Sequence, residues 1–368
     1  MRVAVRIGVP RETDAREQRV AVVPDGVRAL VRAGAAVSVE RGAGARAFYA
    51  DPLYEAAGAT LVDDATAVYG GNDVVVKVQR PASDEIARLR RGTLLISLLA
   101  PTTNADAVHA LDGAGVTALA LELVPRISRA QSMDVLSSQS TVAGYKAVLI
   151  AANELPRLLP MMTTAAGSLA PAKAFVLGAG VAGLQAIATA RRLGAVVSAF
   201  DVRAAVREQV LSLGATFVAA ESVSADAETA GGYAREQSED QQRRTAAAIG
   251  GHIADMDLVI STAQIPGRPA PRLITADMVH RMRPGSVIVD LAAEAGGNCE
   301  LTRPGETVEV GGVRVLGPLN VPSMLPFHAS QMFSKNVVTL LQHLIKDGVL
   351  TVDLTDEITK AMAVTGKN

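Results

Sequence analysis

Short apolar runs alternate with amphipathic stretches along most of the chain. Val3–Val9 alternates as a strand does, and Asp25–Ala33 has helical spacing, with Asp25 as its cap and Gly34 as its stop. Ala36–Glu40, Val74–Val78, Leu94–Leu99 and Val116–Leu121 read as further strands, with helices predicted at Ser83–Arg91 and Asn104–Leu111. A long helical pattern then runs from Gln131 to Leu159. Val135, Val142, Ala143 and Val148 form its buried stripe, and Pro156 and Pro160 mark its end. Beyond it the alternation resumes. Lys173–Leu177, Ala195–Phe200, Thr216–Ala219, Leu258–Ser261, Val287–Asp290 and Val313–Leu316 read as strands, and Leu184–Leu193, Val202–Leu213 and Ala276–Met282 as helices. A polar, irregular stretch from Glu221 to about Gln242 interrupts this half. The last long helical pattern starts near Pro322 and runs to about Ile345.

Strand and helix in alternation imply parallel sheets with helices on both faces. The expected fold class is α/β, with two Rossmann-like doubly wound parallel-sheet domains joined by long helices and a cleft between them. The first domain is expected to span residues 1–130, completed, by analogy with two-domain enzymes that share their terminal helices, by a returning C-terminal helix in 325–368. The second spans 131–324, led by the linker helix.

Composition narrows the classes. A chain of 368 residues with 49% hydrophobic content is too long for one compact core. The net charge of -1, without a basic run, gives a nucleic-acid surface no electrostatic support. The single cysteine, Cys299, sits among Gly296, Gly297 and Asn298 with no nearby His or Lys, and reads as a loop residue rather than a nucleophile. The five histidines show no metal spacing. The N-terminus opens on the strand pattern rather than a signal peptide. Ala174–Ala190 is uncharged, but it is short of the ~20 residues of a spanning helix and three glycines break it. A soluble, metal-free chain in a reducing compartment is expected.

The sharpest motif is Gly178-Ala179-Gly180-Val181-Ala182-Gly183, between a predicted strand and a predicted helix, with Asp201 at the end of the next strand. The first glycine permits a tight turn, the second lets a pyrophosphate approach the backbone, and the third lets helix and strand pack closely. The phosphates would rest on the positive end of the following helix. Asp201 is placed to accept hydrogen bonds from both ribose hydroxyls and to repel a 2′-phosphate, which favours NAD over NADP. Arg203 works the other way, since an arginine here accommodates that phosphate. A glycine-rich turn without ligand, and Asp201 as cap of the next helix, are the plainer alternatives. A second constellation, Arg126–Ser140, is densely polar. Gln131, Asp134 and Ser138 fall at i, i+3 and i+7 and are expected on one helical face, either as a capped helix start or as a surface that positions a carboxamide and ribose.

On these residues the whole chain resembles the soluble NAD(H)-binding component of the proton-translocating transhydrogenases, with alanine dehydrogenase as a near relative. The matches are Arg11-Glu12 with Arg19–Pro24, the run Arg126–Ser140, the glycine turn with Asp201-Val202-Arg203, Gly231-Gly232-Tyr233-Ala234, and Asp290–Asn298. The resemblance implies that Arg126, Gln131, Asp134 and Ser137 surround the dihydronicotinamide as the catalytic set. It implies nucleotide contacts at Ile127, Ser128, Ser132, Met133, Gly178, Gly180, Val181, Gly183, Asp201, Val202, Arg203, Gly232, Tyr233 and Gln264, with Tyr233 on a mobile loop. Gln237 and Thr245 depart from the family pattern near that loop. The implied cofactors are NAD(H) on this chain and NADP(H) on a partner subunit, with direct hydride transfer between them and no metal. The implied partners are membrane-spanning transhydrogenase subunits and a second copy of the chain, which places it in the cytoplasm, attached peripherally to the inner membrane. The competing alanine dehydrogenase reading needs a substrate-binding Arg, a Lys and a catalytic His. Arg19 and Lys77 match the first two, but no His lies near Ser97–Leu99. A non-enzymatic NAD sensor, the third reading, has no need of the Arg126–Ser140 set.

Overall fold

The computed structural model describes residues 4–219, 238–265 and 267–366. They fall into two compact units, with the chain passing from the first to the second between residues 139 and 140 and back between 321 and 322.

Unit 1 carries β1 (Arg6–Val9), α1 (Pro24–Arg32), β2 (Ala36–Glu40), α2 (Asp51–Ala56), β3 (Thr60–Val62), α3 (Ala65–Gly71), β4 (Val74–Val76), α4 (Ser83–Ile86), β5 (Leu94–Ser97), α5 (Ala105–Gly113) and β6 (Thr117–Ala120). Its sheet runs β3-β2-β1-β4-β5-β6, with every pair parallel. Successive side chains of a strand face opposite sides. Val74 and Val76 therefore join one core with Leu94 and Ile96, while Val75 and Leu95 join another. A core on each face is why these strands read as continuous apolar runs.

The division between the units falls within α6 (Val135–Glu154). Unit 2 then adds the hairpin β7 (Met162–Thr164) and β8 (Gly167–Leu169), followed by β9 (Lys173–Leu177), α7 (Val181–Arg192), β10 (Val196–Phe200), α8 (Arg207–Ser212), β11 (Thr216–Phe217), α9 (Glu239–Ile253), β12 (Leu258–Ser261), α10 (Ala276–His280), β13 (Val287–Asp290), β14 (Thr307–Val310) and β15 (Val313–Leu316). The main sheet runs β11-β10-β9-β12-β13-β15-β14 and is parallel except for the edge pair β14–β15. Ala174 and Val176 of β9 face one core, Phe175 and Leu177 the other. The chain closes in unit 1 with α11 (Pro326–Leu344), the short pair β16 (Ile345–Lys346) and β17 (Val349–Leu350), and α12 (Glu357–Met362). Phe333, Val337 and Leu341 of α11 pack into the core that holds Val22 and Leu30.

Both units have the doubly wound strand order, in which the winding direction reverses beside the first strand and leaves a crevice at the carboxyl ends of the central pair. Several predicted boundaries move. The first strand begins at Arg6, and α1 starts at Pro24 with Val23 as an N-cap that offers no side chain, so Asp25 lies in the first turn rather than capping it. The helix expected over Ser83–Arg91 shortens to Ser83–Ile86. The one expected from Val202 becomes a 3₁₀ turn, Ala204–Val206, followed by α8. Ala143 is only half-buried on α6, whereas Val135, Val142 and Val148 are buried.

Candidate functional site

In unit 2 the crevice lies between β9 and β12. Leu177 pairs with Ser261, and the Thr262 amide donates to the Leu177 carbonyl at 2.8 Å. The glycine turn therefore leaves β9 beside the loop that carries Gln264. Gly178 has φ +91, and a β-carbon there would lie 2.7 Å from Thr262 Oγ1. A β-carbon on Gly183 would lie 1.8 Å from the Gly178 carbonyl oxygen, so helix and turn can close only on glycine. At Gly180 the nearest atom to such a carbon is 3.9 Å away, which leaves that face of the turn open to a ligand. Gly180 is also the N-cap of α7, and no acidic residue stands in the first turn. The N-terminal amides and dipole of the helix end thus suit a pyrophosphate.

Asp201 follows β10 and is 5% exposed. Its Oδ2 accepts from the Ala179 amide at 2.7 Å, which ties it to the turn. The Arg203 amide donates to Oδ1 at 2.9 Å, and the Arg203 guanidinium grips both oxygens through Nε at 2.9 Å and Nη2 at 2.8 Å. The N-cap of the next 3₁₀ turn is Arg203, so Asp201 is bound into the turn and not into a helix cap. Val202 is half-buried against a unit 2 core, Val181 is exposed on the first turn of α7, and Gln264 is exposed with its Nε2 donating to the Leu291 carbonyl at 2.7 Å.

The Arg126–Ser140 constellation lies at the edge of unit 1 and takes a different form from the one expected. Ser128–Met133 is 3₁₀, Asp134 has left it, and α6 starts at Val135, so Gln131, Asp134 and Ser138 do not share one helical face. The physical cause is the Asp134 carboxylate, which accepts from the Ser137 amide at 2.9 Å and the Ser137 hydroxyl at 2.6 Å and so caps α6. Asn336 Nδ2 holds the Ser132 carbonyl at 2.7 Å, and Arg129 pairs with Asp356 at 2.9 Å. Met133 is buried in the core, Ile127 is half-buried, and Arg126, Ser128, Gln131 and Ser132 are exposed. Gly232, Tyr233 and Gln237 lie outside the described residues. Thr245 is a buried residue of α9.

Sequence spacing did not show what fills the corresponding crevice of unit 1. Arg19, 3% exposed, is gripped by Glu17 through Nε at 2.8 Å and Nη2 at 2.7 Å, and its Nη1 donates to Gln139 at 2.8 Å. Lys77, 1% exposed, donates to Glu85 at 2.8 Å and to Tyr69 at 3.1 Å, with Glu12 at 3.7 Å. Burial pushes the Glu12 carboxyl up to about 7, against the opposing pull of Lys77. Burial also acts against Glu17, but the hydrogen bonds and charge of Arg19 outweigh it and hold the acid at about 2. Both cations that an amino-acid substrate would need are therefore engaged by internal acids. Cys299 is fully buried, which raises its thiol to about 11 and leaves no reactive thiolate. Among the described residues no His, Cys, Asp or Glu group could hold a metal ion, and no helix is long and apolar enough to cross a membrane.

Comparison with known proteins fits this geometry. The model of the family described as alanine dehydrogenase/PNT, N-terminal domain, matches residues 8–143, and that of the C-terminal domain matches residues 147–368. An NAD(P) transhydrogenase subunit alpha polypeptide of Rhodospirillum rubrum is 49% identical, covering 98% of this chain and 96% of that protein. A crystal structure of transhydrogenase from Sinorhizobium meliloti superposes with a TM-score of 0.89 at 49% identity, over 98% of both chains. Alanine dehydrogenase of Mycobacterium tuberculosis is 33% identical over 82% of this chain and 76% of its own length.

Proposed function

The chain belongs to the alanine dehydrogenase/PNT family, and from that premise we propose that it is the NAD(H)-binding component of a proton-translocating transhydrogenase. In this reading it presents NADH to an NADP⁺ held on a partner subunit, and hydride passes directly between the two rings. The nucleotides supply the redox chemistry. Gly178, Gly180 and Gly183 seat the phosphates, Asp201 accepts the ribose hydroxyls, and Gln264 lies beside them. Arg126, Gln131, Asp134 and Ser137 orient the nicotinamide, with Asp134 setting the start of α6 so that its neighbours keep a fixed direction. Such a site works by holding two reactants in place rather than by moving protons. Partner subunits carry the NADP(H) site, the proton path and the attachment to the membrane, and the chain acts as a homodimer.

The observation that carries this reading against amino-acid oxidation is the internal neutralisation of Arg19 by Glu17 and of Lys77 by Glu85. A substrate carboxylate would have to displace a tethered one from each. The test mixes the chain with an NADP-binding partner domain, NADH and an NADP⁺ analogue whose reduction is followed by absorbance. Reduction that requires both proteins is expected. Alanine-dependent reduction of NAD⁺ by the chain alone, with no transfer in the mixture, would overturn the reading.

A further inference from the structure

Asp201 is fully engaged by donors of its own chain. A carboxylate offers about four acceptor positions, and those of Asp201 are taken by the amides of Ala179 and Arg203 and by Nε and Nη2 of the Arg203 side chain. The two amides belong to the backbone of the turns and stay where they are. The other two donors sit on a side chain, 12% exposed, whose position is set by rotatable bonds rather than by the turn. Arg203 also reaches over the glycine turn, because its Nη2 is the nearest atom, at 3.9 Å, to the open face of Gly180. The guanidinium thus stands in the approach to both the ribose clamp and the phosphate turn.

We propose that Arg203 is a specificity-determining residue that occupies the adenosine-ribose position in the free protein and is exchanged for the ribose diol when NAD(H) binds. The inference rests on the NAD(H) reading of the Gly178–Gly183 turn. The exchange is two donors for two donors. The 2′- and 3′-hydroxyls of NAD(H) can replace Nε and Nη2 on Asp201 one for one, and the freed cation moves out. A 2′-phosphate at neutral pH has no proton to give. It cannot replace the guanidinium on Asp201, so a buried carboxylate would be left facing it. Discrimination against NADPH then comes from the Asp201–Arg203 pair, with Arg203 as the competitor that only a donor can displace. The same residue becomes an anion receptor once Asp201 loses its charge, because a guanidinium binds phosphate through the same pair of parallel donors.

The test is fluorescence titration of NADH and NADPH against the wild type, Arg203→Ala, Arg203→Lys, Asp201→Asn and the double variant, with circular dichroism to confirm that each is folded. Removing a tethered competitor should tighten NADH binding about tenfold in Arg203→Ala. Arg203→Lys, which keeps the charge but not the fork, should fall between it and the wild type. Asp201→Asn should gain NADPH affinity by about tenfold or more, and the double variant should lose that gain. NADH binding that is unchanged or weaker in Arg203→Ala, or an NADPH gain that survives in the double variant, would overturn the proposal while leaving the nucleotide site intact. A wild-type chain that binds no NADH would overturn the nucleotide reading as well.

Discussion

Glu12 and Glu17 are five residues apart along the chain and respond to the same buried surroundings in opposite ways. Glu12 accepts from the Val78 amide at 2.6 Å, but the cation beside it, Lys77, stands off at 3.7 Å, and burial dominates. Glu17 accepts from three donors of Arg19, two of them on the guanidinium, and ionisation dominates. The consequences for stability have opposite signs. The folded state raises the Glu12 value to about 7, above the unfolded one, so its contribution is complete at acid pH and is lost as pH rises through about 7. Glu17 contributes above its unfolded value, and that contribution is lost as pH falls toward about 2. Glu12→Gln cannot ionise. The variant should melt close to the wild type at pH 5 and several degrees above it at pH 8. A gap that does not change between the two pH values would show that the buried carboxyl carries no ionisation penalty. None of this was legible in the sequence. Arg19 and Lys77 could be matched by position to a substrate-binding pair, but spacing does not say that the turns between them fold Glu17 onto Arg19 and Glu85 onto Lys77, or that Glu12 reaches Lys77 from far earlier in the chain.

Strands were legible in the sequence where burial on both faces forced an apolar run. Lys173–Leu177, Leu258–Ser261, Val287–Asp290 and Val313–Leu316 are strands with the expected limits. Edges and polar elements were not legible in this way. β3 and β14 lie at the ends of their sheets with exposed or half-exposed positions, and α9 opens on the charged, polar run Glu239–Arg244. The glycine turn was legible because Gly178 and Gly183 each answer a local steric demand, whereas the form of Ser128–Asp134 was not, because α11 and the Asp134 cap decide it. The tightest of the glycine demands gives a direct test. Gly183→Ala would set a methyl group 1.8 Å from the Gly178 carbonyl, a distance no side-chain rearrangement relieves, so the turn or α7 must shift. NADH affinity should fall at least tenfold, with a stability loss of ~1–3 kcal/mol from overpacking. An unchanged affinity would mean that the turn does not hold the nucleotide.

For the molecule as a whole, the β7–β8 hairpin is the feature that a single copy does not explain. All residues from 161 to 170 are exposed, including Met161, Met162 and Leu169, and among the described residues the two strands pair only with each other. An isolated two-stranded ribbon is marginal in water, and exposed apolar side chains on it fit the proposed homodimer better than a free monomer. Met162→Asp should therefore shift the chain toward monomer in light scattering at micromolar concentration, with the melting temperature of the monomeric fraction little changed. A dimer that survives the substitution would place the contact elsewhere. In the proposed reaction hydride moves directly between two nicotinamides on two proteins. The most direct measurement starts from NADH carrying deuterium at the transferred position of C4, in ordinary water, with the partner domain and an NADP⁺ analogue, and reads the reduced analogue by mass spectrometry. Full retention of the label in the reduced analogue is the predicted result. Label lost to solvent would rule out direct transfer between the two rings.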